Sequence, residues 1–173
     1  MGYWRYCRHI ILATIITLAI FIINIYAPSP NSNIEKYYQN ELILYENYFY
    51  NTFNSKIKYS GQIYFSKNIA INLYAVCYPG PMWLTNIKIN YERWKFLDIY
   101  AKEELIFHEL GHCLYWLNHD NDLIELKVKN KFRTCPKSIM IGTWDIMDGC
   151  YKYNRDYYIK ELQTKINLKR GDL

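Results

Sequence analysis

The sequence predicts an α+β domain with a small mixed sheet, a central helix and a closing C-terminal helix, preceded by one transmembrane helix. An apolar run, three stretches with helical spacing of apolar residues and several short β-prone runs between them predict this class. A hydrophobic content of 51% and an aromatic content of 18% exclude an intrinsically disordered chain. The excess of cations is small, 21 Lys and Arg against 16 Asp and Glu, and we therefore expect no nucleic-acid partner.

The first element is the apolar run over residues 10–27, which carries no charge and follows Arg5 and Arg8. It is longer than the apolar core of about 7–15 residues in a cleavable signal peptide, and it reaches the lower limit for a bilayer span. We therefore expect a signal-anchor, with residues 1–9 in the cytoplasm by the positive-inside bias and residues 28–173 outside. If the segment is cleaved, the domain is secreted.

The domain itself begins with a predicted helix over 33–57, introduced by the capping pair Ser32 and Glu35, whose aromatic stripe we expect to pack in the core. The Lys67-Asn68 pair and the Pro-Gly-Pro sequence at 79–81 separate β-prone runs. The predicted strands cover residues 61–66, 69–76 and 85–90, and further helices cover 99–117 and 154–168.

The histidines of the exported part are clustered in one short stretch: His108, His112 and His119. His108 and His112 belong to the sequence HELGH, in which residues four apart share one helix face. Two imidazole nitrogens can then bind one ion, and zinc suits such ligands. Glu109 lies beside the first ligand, where its carboxylate can act as the general base toward a metal-activated water.

The third metal ligand is open among four candidates, which are His119, Asp120, Asp122 and Asp145. A residue beyond the helix can turn back to the metal only if the helix stops. Asn118 favours such a stop, because asparagine tolerates the left-handed conformation at a helix end. His119 follows directly, and we favour it as the third ligand.

These residues resemble the zincin metallopeptidases, and within them the metzincins, where HExxHxxGxxH precedes a methionine turn. Here HELGHCLYWLNHD precedes PKSIM, and Met140 matches the turn methionine. Tyr115 replaces the glycine of that pattern, and the third histidine comes one residue later. The variant is similar to small bacterial and phage metallopeptidases over residues 75 to 162, including AVCYPG and EELIFHELGHC. GTWDIMDG at 142–149 is instead similar to an aspzincin element, whose ligand would be Asp145.

The resemblance implies a zincin-like domain over residues 28–173 that hydrolyses peptide bonds with Zn²⁺. Its ligands would be His108, His112 and His119, with Glu109 as general base and a peptide or protein as substrate. It also implies an edge strand antiparallel to the substrate, from 69–76 or 85–90. The alternative is a non-catalytic, membrane-anchored metal-binding or protein-interaction module that retains the fold.

Four cysteines lie in the exported part and allow three pairings of two disulfides: Cys77, Cys113, Cys135 and Cys150. An oxidising compartment favours such pairing. One hypothesis is a bridge from Cys113 to Cys135, which would tie the histidine helix to the methionine turn of the resembled family. The sequence leaves the pairing open.

Overall fold

The computed structural model of the chain describes residues 33–55, 59–78, 80, 85–142 and 149–171. Residues 36–173 form one compact unit. The predicted transmembrane segment 10–27 and the capping residue Ser32 lie outside the described residues. Within the described ranges, no helix is both long and apolar enough to cross a bilayer.

The described elements alternate between helices and short strands, which confirms the α+β class with small sheets. In chain order they are α1 (Asn33–Thr52), β1 (Gln62–Ser66), β2 (Ala75–Tyr78), β3 (Asn86–Asn90), α2 (Tyr91–Trp94), α3 (Ile99–Tyr115), β4 (Leu123–Val128), β5 (Lys131–Pro136), α4 (Cys150–Tyr153) and α5 (Arg155–Arg170).

The first sheet is mixed and has the strand order β1-β3-β2. β1 pairs with β3 in parallel, and β2 pairs with β3 antiparallel, so β3 is central and β2 lies at an edge. The backbone N–H of Asn90 donates to the carbonyl of Tyr74 (2.8 Å). Since hydrogen-bonded and free positions alternate along an antiparallel pair, Ala75 and Cys77 direct their backbone groups away from β3.

A two-stranded antiparallel hairpin, β4 with β5, follows α3 and was not predicted from the sequence. Its two-residue connection places Lys129 in the left-handed region, with φ of 57°. This residue type gives little turn signal, because glycine or asparagine is the usual occupant of such positions. Apolar and polar residues alternate in LIELKV, the sequence of β4, but only over six residues. Four of the six residues of β5 are exposed, so this strand carries little hydrophobic pattern.

The core is aromatic where α1 packs on α3. Phe49 and Phe53 are buried, and their rings lie 5.2 Å and 5.4 Å from that of Phe107. The predicted packing role of the α1 stripe is therefore confirmed for these positions. α5 packs against another part of the core. There the hydroxyl of buried Tyr158 donates a hydrogen bond to the carbonyl of Pro136 (2.7 Å).

Several predicted boundaries were wrong. The first helix ends at Thr52 rather than at 57, and the histidine helix ends at Tyr115 rather than at 117. The strand expected over 69–76 is β2, at Ala75–Tyr78, because residues 69–74 form turns before the chain joins β3. The apolar residues Ile71 and Leu73, which favoured a strand, are exposed instead.

Candidate metal centre

The helix α3 brings His108 and His112 onto one face. It begins at Asp98, whose carboxylate accepts the backbone N–H groups of Tyr100 (3.0 Å) and Ala101 (2.9 Å). This cap satisfies donors that a helix end otherwise leaves free. From that start, the Nε2 atoms of His108 and His112 lie 3.0 Å apart.

The third histidine joins this pair because the helix ends in a tight left-handed turn. Trp116 has φ of 54° and ψ of 36°, and its N–H donates to the carbonyl of His112, while that of Leu117 donates to Gly111. The chain therefore reverses, and Nε2 of His119 lies 3.0 Å from Nε2 of His112.

The predicted stop at Asn118 was wrong, because the left-handed residue is Trp116. Tyr115 is still helical, and His119 follows the left-handed Trp116 by three residues. The exit at Trp116 therefore brings the ring of His119 back toward the pair.

The orientation of two rings is fixed by backbone carbonyls. Nδ1 of His108 lies 2.8 Å from the carbonyl oxygen of Ile139, and Nδ1 of His112 lies 2.5 Å from that of Leu117. A carbonyl only accepts, so each Nδ1 carries the hydrogen and each neutral ring has its lone pair on Nε2. Metal-binding histidines are oriented by such second hydrogen bonds.

Lone pairs only 3.0 Å apart repel unless a proton or a cation lies between them. Burial lowers the pKa of His108 to about 3, and it also lowers the pKa of His112. Both rings are therefore neutral near pH 7, and a cation is the natural partner of their lone pairs. The three imidazoles of His108, His112 and His119 can hold one metal ion.

The other candidates for the third ligand are engaged elsewhere or lie outside the described residues. The carboxylate of Asp120 accepts from Lys165 (2.6 Å), and that of Asp122 accepts from Lys137 (3.0 Å). Asp145 lies outside the described residues. Within the described part of the chain, His119 is the residue that joins the first two histidines.

The turn that contains Met140 lies directly beneath α3. Met140 is fully buried, and a Cβ added to Gly111 would lie 2.7 Å from its sulfur. The same turn supplies the Ile139 carbonyl that orients His108, and the Met140 carbonyl accepts the backbone N–H of Asp120 (2.8 Å). It therefore contacts the helix and the loop of the third histidine together.

Glu109 lies on the side of α3 that faces β2. It is 5% exposed, and burial raises its pKa to about 8, against the lowering effect of a hydrogen bond from the backbone of Cys77. Glu109 lines the same groove as the histidines. Its carboxyl group is thus next to the metal site but bonded to the edge strand.

That groove has a volume of about 600 Å³. Besides the histidines and Glu109, its lining includes β2 with the preceding residues Leu73 and Tyr74, and Trp116 and Ile141. Of the two strands considered as a substrate edge, β3 is central, so the edge along the groove belongs to β2.

Two disulfides tie the elements of the site together. Cys77 of β2 pairs with Cys113, the residue after His112, and Cys135 of β5 pairs with Cys150 of α4. The hypothesis of a bridge from Cys113 to Cys135 was therefore wrong. The geometric reason is that Cys113 faces the edge strand, whereas Cys135 faces the short helix before α5.

Sequence reasoning missed the carbonyls of Ile139 and Leu117, which orient the imidazoles. No residue type signals a carbonyl ligand, because every residue carries one; only the left-handed exit and the turn place these two. No protein family, curated protein or solved structure matches this chain in comparisons with known proteins.

Proposed function

We propose that the chain is a zinc-dependent peptidase of the zincin type. The observation that carries this proposal is the convergence of three imidazole Nε2 atoms in a groove that is also lined by Glu109 and the edge strand β2. The described cysteines are paired in disulfides, so they offer no thiolate to a metal ion. A set of three imidazoles suits zinc. Three protein ligands also leave one position of a tetrahedral site open.

The chemistry follows from what each group can do. A divalent cation held by the histidines would supply Lewis acidity toward a peptide carbonyl and toward water. In the proposed reaction Glu109 would accept a proton from the attacking water and return it to the departing amine when the C–N bond breaks. The pKa of about 8 describes Glu109 without a cation nearby, and a positive charge beside it favours the ionised, proton-accepting form.

The edge of β2 supports a peptide as substrate. The outward backbone groups of Ala75 and the outward carbonyl of Cys77 are not bonded to β3, while the N–H of Cys77 donates to Glu109. An extended peptide can add to such an edge as a further strand through the remaining groups. Leu73 and Trp116 line the groove and are exposed, so their apolar side chains offer contacts to substrate side chains.

We also place the domain outside the cytoplasm, anchored by residues 10–27. Two disulfides in a domain of this size support an oxidising compartment, because thiols in the cytosol are kept reduced. The apolar run and the preceding arginines support the anchor.

The alternative is a module that keeps the metal but does not catalyse. It is favoured by one observation, namely that Glu109 is buried and bonded to the backbone of Cys77. In such a module the carboxyl group would join α3 to β2 and serve only the fold.

The test is cleavage of an internally quenched peptide library by the zinc-loaded full chain. Glu109→Gln should lower kcat by about 10²- to 10⁴-fold while zinc remains bound. Glu125→Gln, on the exposed face of β4, is the matched control and should cleave normally. If the zinc-loaded chain cleaves no peptide, or if Glu109→Gln cleaves as fast as the unaltered chain, the enzyme proposal is wrong.

A further inference from the structure

A second pocket lies along α3, on the amino-terminal side of the metal centre. It has a volume of about 650 Å³ and is lined by residues of α3, the β4–β5 hairpin and α4. Tyr74 lines both this pocket and the metal groove, so the two cavities are neighbours on either side of that residue or along it. We refer to it as the Glu104 pocket, after the acidic residue that lines it.

Glu104 is a buried acid with an unused hydrogen-bonding atom. The residue is 3% exposed, and its Oε1 is buried without a hydrogen-bond partner among the described residues. A buried polar atom without a partner is costly and calls for an explanation. Oε1 can accept a hydrogen bond whether the group is ionised or protonated through its other oxygen.

The rest of the pocket is cationic. Lys129, Arg133 and Lys152 line it, against Asp98 and Glu104. The carboxylate of Asp98 caps α3 and lies 3.6 Å from Nζ of Lys152. Lys129 and Arg133 have no carboxylate partner among the ion pairs of the described residues. The pocket therefore carries a net positive charge in either protonation state of Glu104.

The direction of β2 connects this pocket to the proposed substrate. β2 runs from Ala75 to Tyr78, so its amino-terminal end adjoins Tyr74 and the Glu104 pocket. A peptide that pairs antiparallel with β2 has its carboxyl-terminal part at that end. The segment that enters the pocket would thus be the part of the substrate downstream of the cleaved bond.

We propose that the Glu104 pocket binds the carboxyl-terminal end of the peptide substrate. Lys129 and Arg133 bind its terminal carboxylate, and Oε1 of Glu104 accepts one of its backbone N–H groups. This inference rests on the proposed peptidase function and assigns it a substrate class, peptides whose free C-terminus lies a few residues beyond the cleaved bond. Hydrogen bonds between a guanidinium and a carboxylate are strong because both groups are charged, and their frequent bidentate geometry makes them specific.

The test measures binding without turnover, in the full chain carrying Glu109→Gln. Two pools of fluorescein-labelled random pentapeptides are compared by fluorescence anisotropy, one with a free C-terminal carboxylate and one amidated. We expect the carboxylate pool to bind about tenfold more tightly. The double variant Lys129→Gln/Arg133→Gln should lose that preference, whereas Lys131→Gln, on the same hairpin and outside the pocket lining, should keep it.

A second variant tests the buried acid. Glu104→Leu should weaken binding of both pools while leaving the thermal unfolding temperature unchanged or higher, since it removes an unpartnered buried oxygen. Equal affinity for the two pools, absence of binding, or retention of the preference without Lys129 and Arg133 would overturn the proposal. Cleavage of longer peptides by the unaltered chain is measured separately, so failure of this pocket and failure of the peptidase proposal give different results.

Discussion

The Nε2 atoms of His108 and His112 lie 3.0 Å apart although both rings direct Nδ1 at backbone carbonyls. This relationship orients two lone pairs toward each other in a partly buried site, where burial disfavours a proton on either ring. The fold thus holds the two Nε2 lone pairs so close that they repel each other, and a cation bound between them would remove that repulsion.

The close contact between Gly111 and Met140 predicts that a methyl group at position 111 is not tolerated. Gly111→Ala should lower the free energy of unfolding by about 1–2 kcal/mol, because overpacking costs more than the helix propensity of alanine returns. Urea denaturation measures this change. Met140→Ala should relieve the clash, so the double variant should lose less than the sum of the two single changes. Simple additivity would show that the contact is not tight.

The left-handed helix exit predicts a stabilising substitution. Trp116→Gly should raise the free energy of unfolding by about 0.5–1 kcal/mol, because glycine adopts positive φ without strain and the indole is 60% exposed. Trp116→Ala is the control, since it removes the ring and keeps the strain, and it should give no gain. If both variants behave alike in denaturant titrations, the strain argument is wrong.

The two disulfides predict unequal losses on removal. Their partners are 36 and 15 residues apart, so replacing Cys77 and Cys113 by alanine should cost about 4 kcal/mol, and replacing Cys135 and Cys150 about 3 kcal/mol. The first pair also joins β2 to α3, and its loss should weaken peptide binding more than the second. Denaturation and peptide anisotropy on both double variants check the order, and a reversed order would contradict it.

Glu104 predicts a dependence of stability on pH. Burial raises its pKa well above the ordinary value, so the folded state keeps a proton that the unfolded state releases above about pH 4.5. Its contribution to stability is present below that pH and is lost as pH rises, by up to about 1.4 kcal/mol per unit. Glu104→Gln should make the fall of the unfolding free energy between pH 5 and 7 less steep; Glu109, whose pKa is also raised by burial, contributes to the slope that remains. The exposed control Glu125→Gln should keep the slope of the unaltered chain, and identical slopes for both variants would contradict the assignment.

The sequence predicts the elements of the centre well, because their signals are local. Four-residue spacing places His108 and His112 on one face in any helix, and the apolar stripe of α1 identifies Phe49 and Phe53 as core. The choice of His119 over Asp120 followed only from the expectation that the helix stops nearby. His119 does lie beside the other two histidines, but the expected stop at Asn118 was wrong, since the helix exit is at Trp116.

Other features depend on tertiary contacts that no local pattern encodes. The pairing of Cys77 with Cys113 requires β2 to lie beside α3, and that follows from the strand order. The same order decides which strand is the edge. The left-handed conformations of Trp116 and Lys129 occur at residue types that rarely adopt them, so helix packing and hairpin pairing must impose them.

X-ray absorption at the zinc edge identifies the ligands of the bound ion. The zinc-loaded full chain should bind one ion, surrounded by three imidazole nitrogens at about 2.0–2.1 Å and a light fourth neighbour. His119→Ala should reduce the imidazole number from three to two, while Asn118→Ala should leave it unchanged. Sulfur neighbours, a closed set of four protein ligands, or a spectrum unaffected by His119→Ala would show that the three histidines do not form an open zinc site.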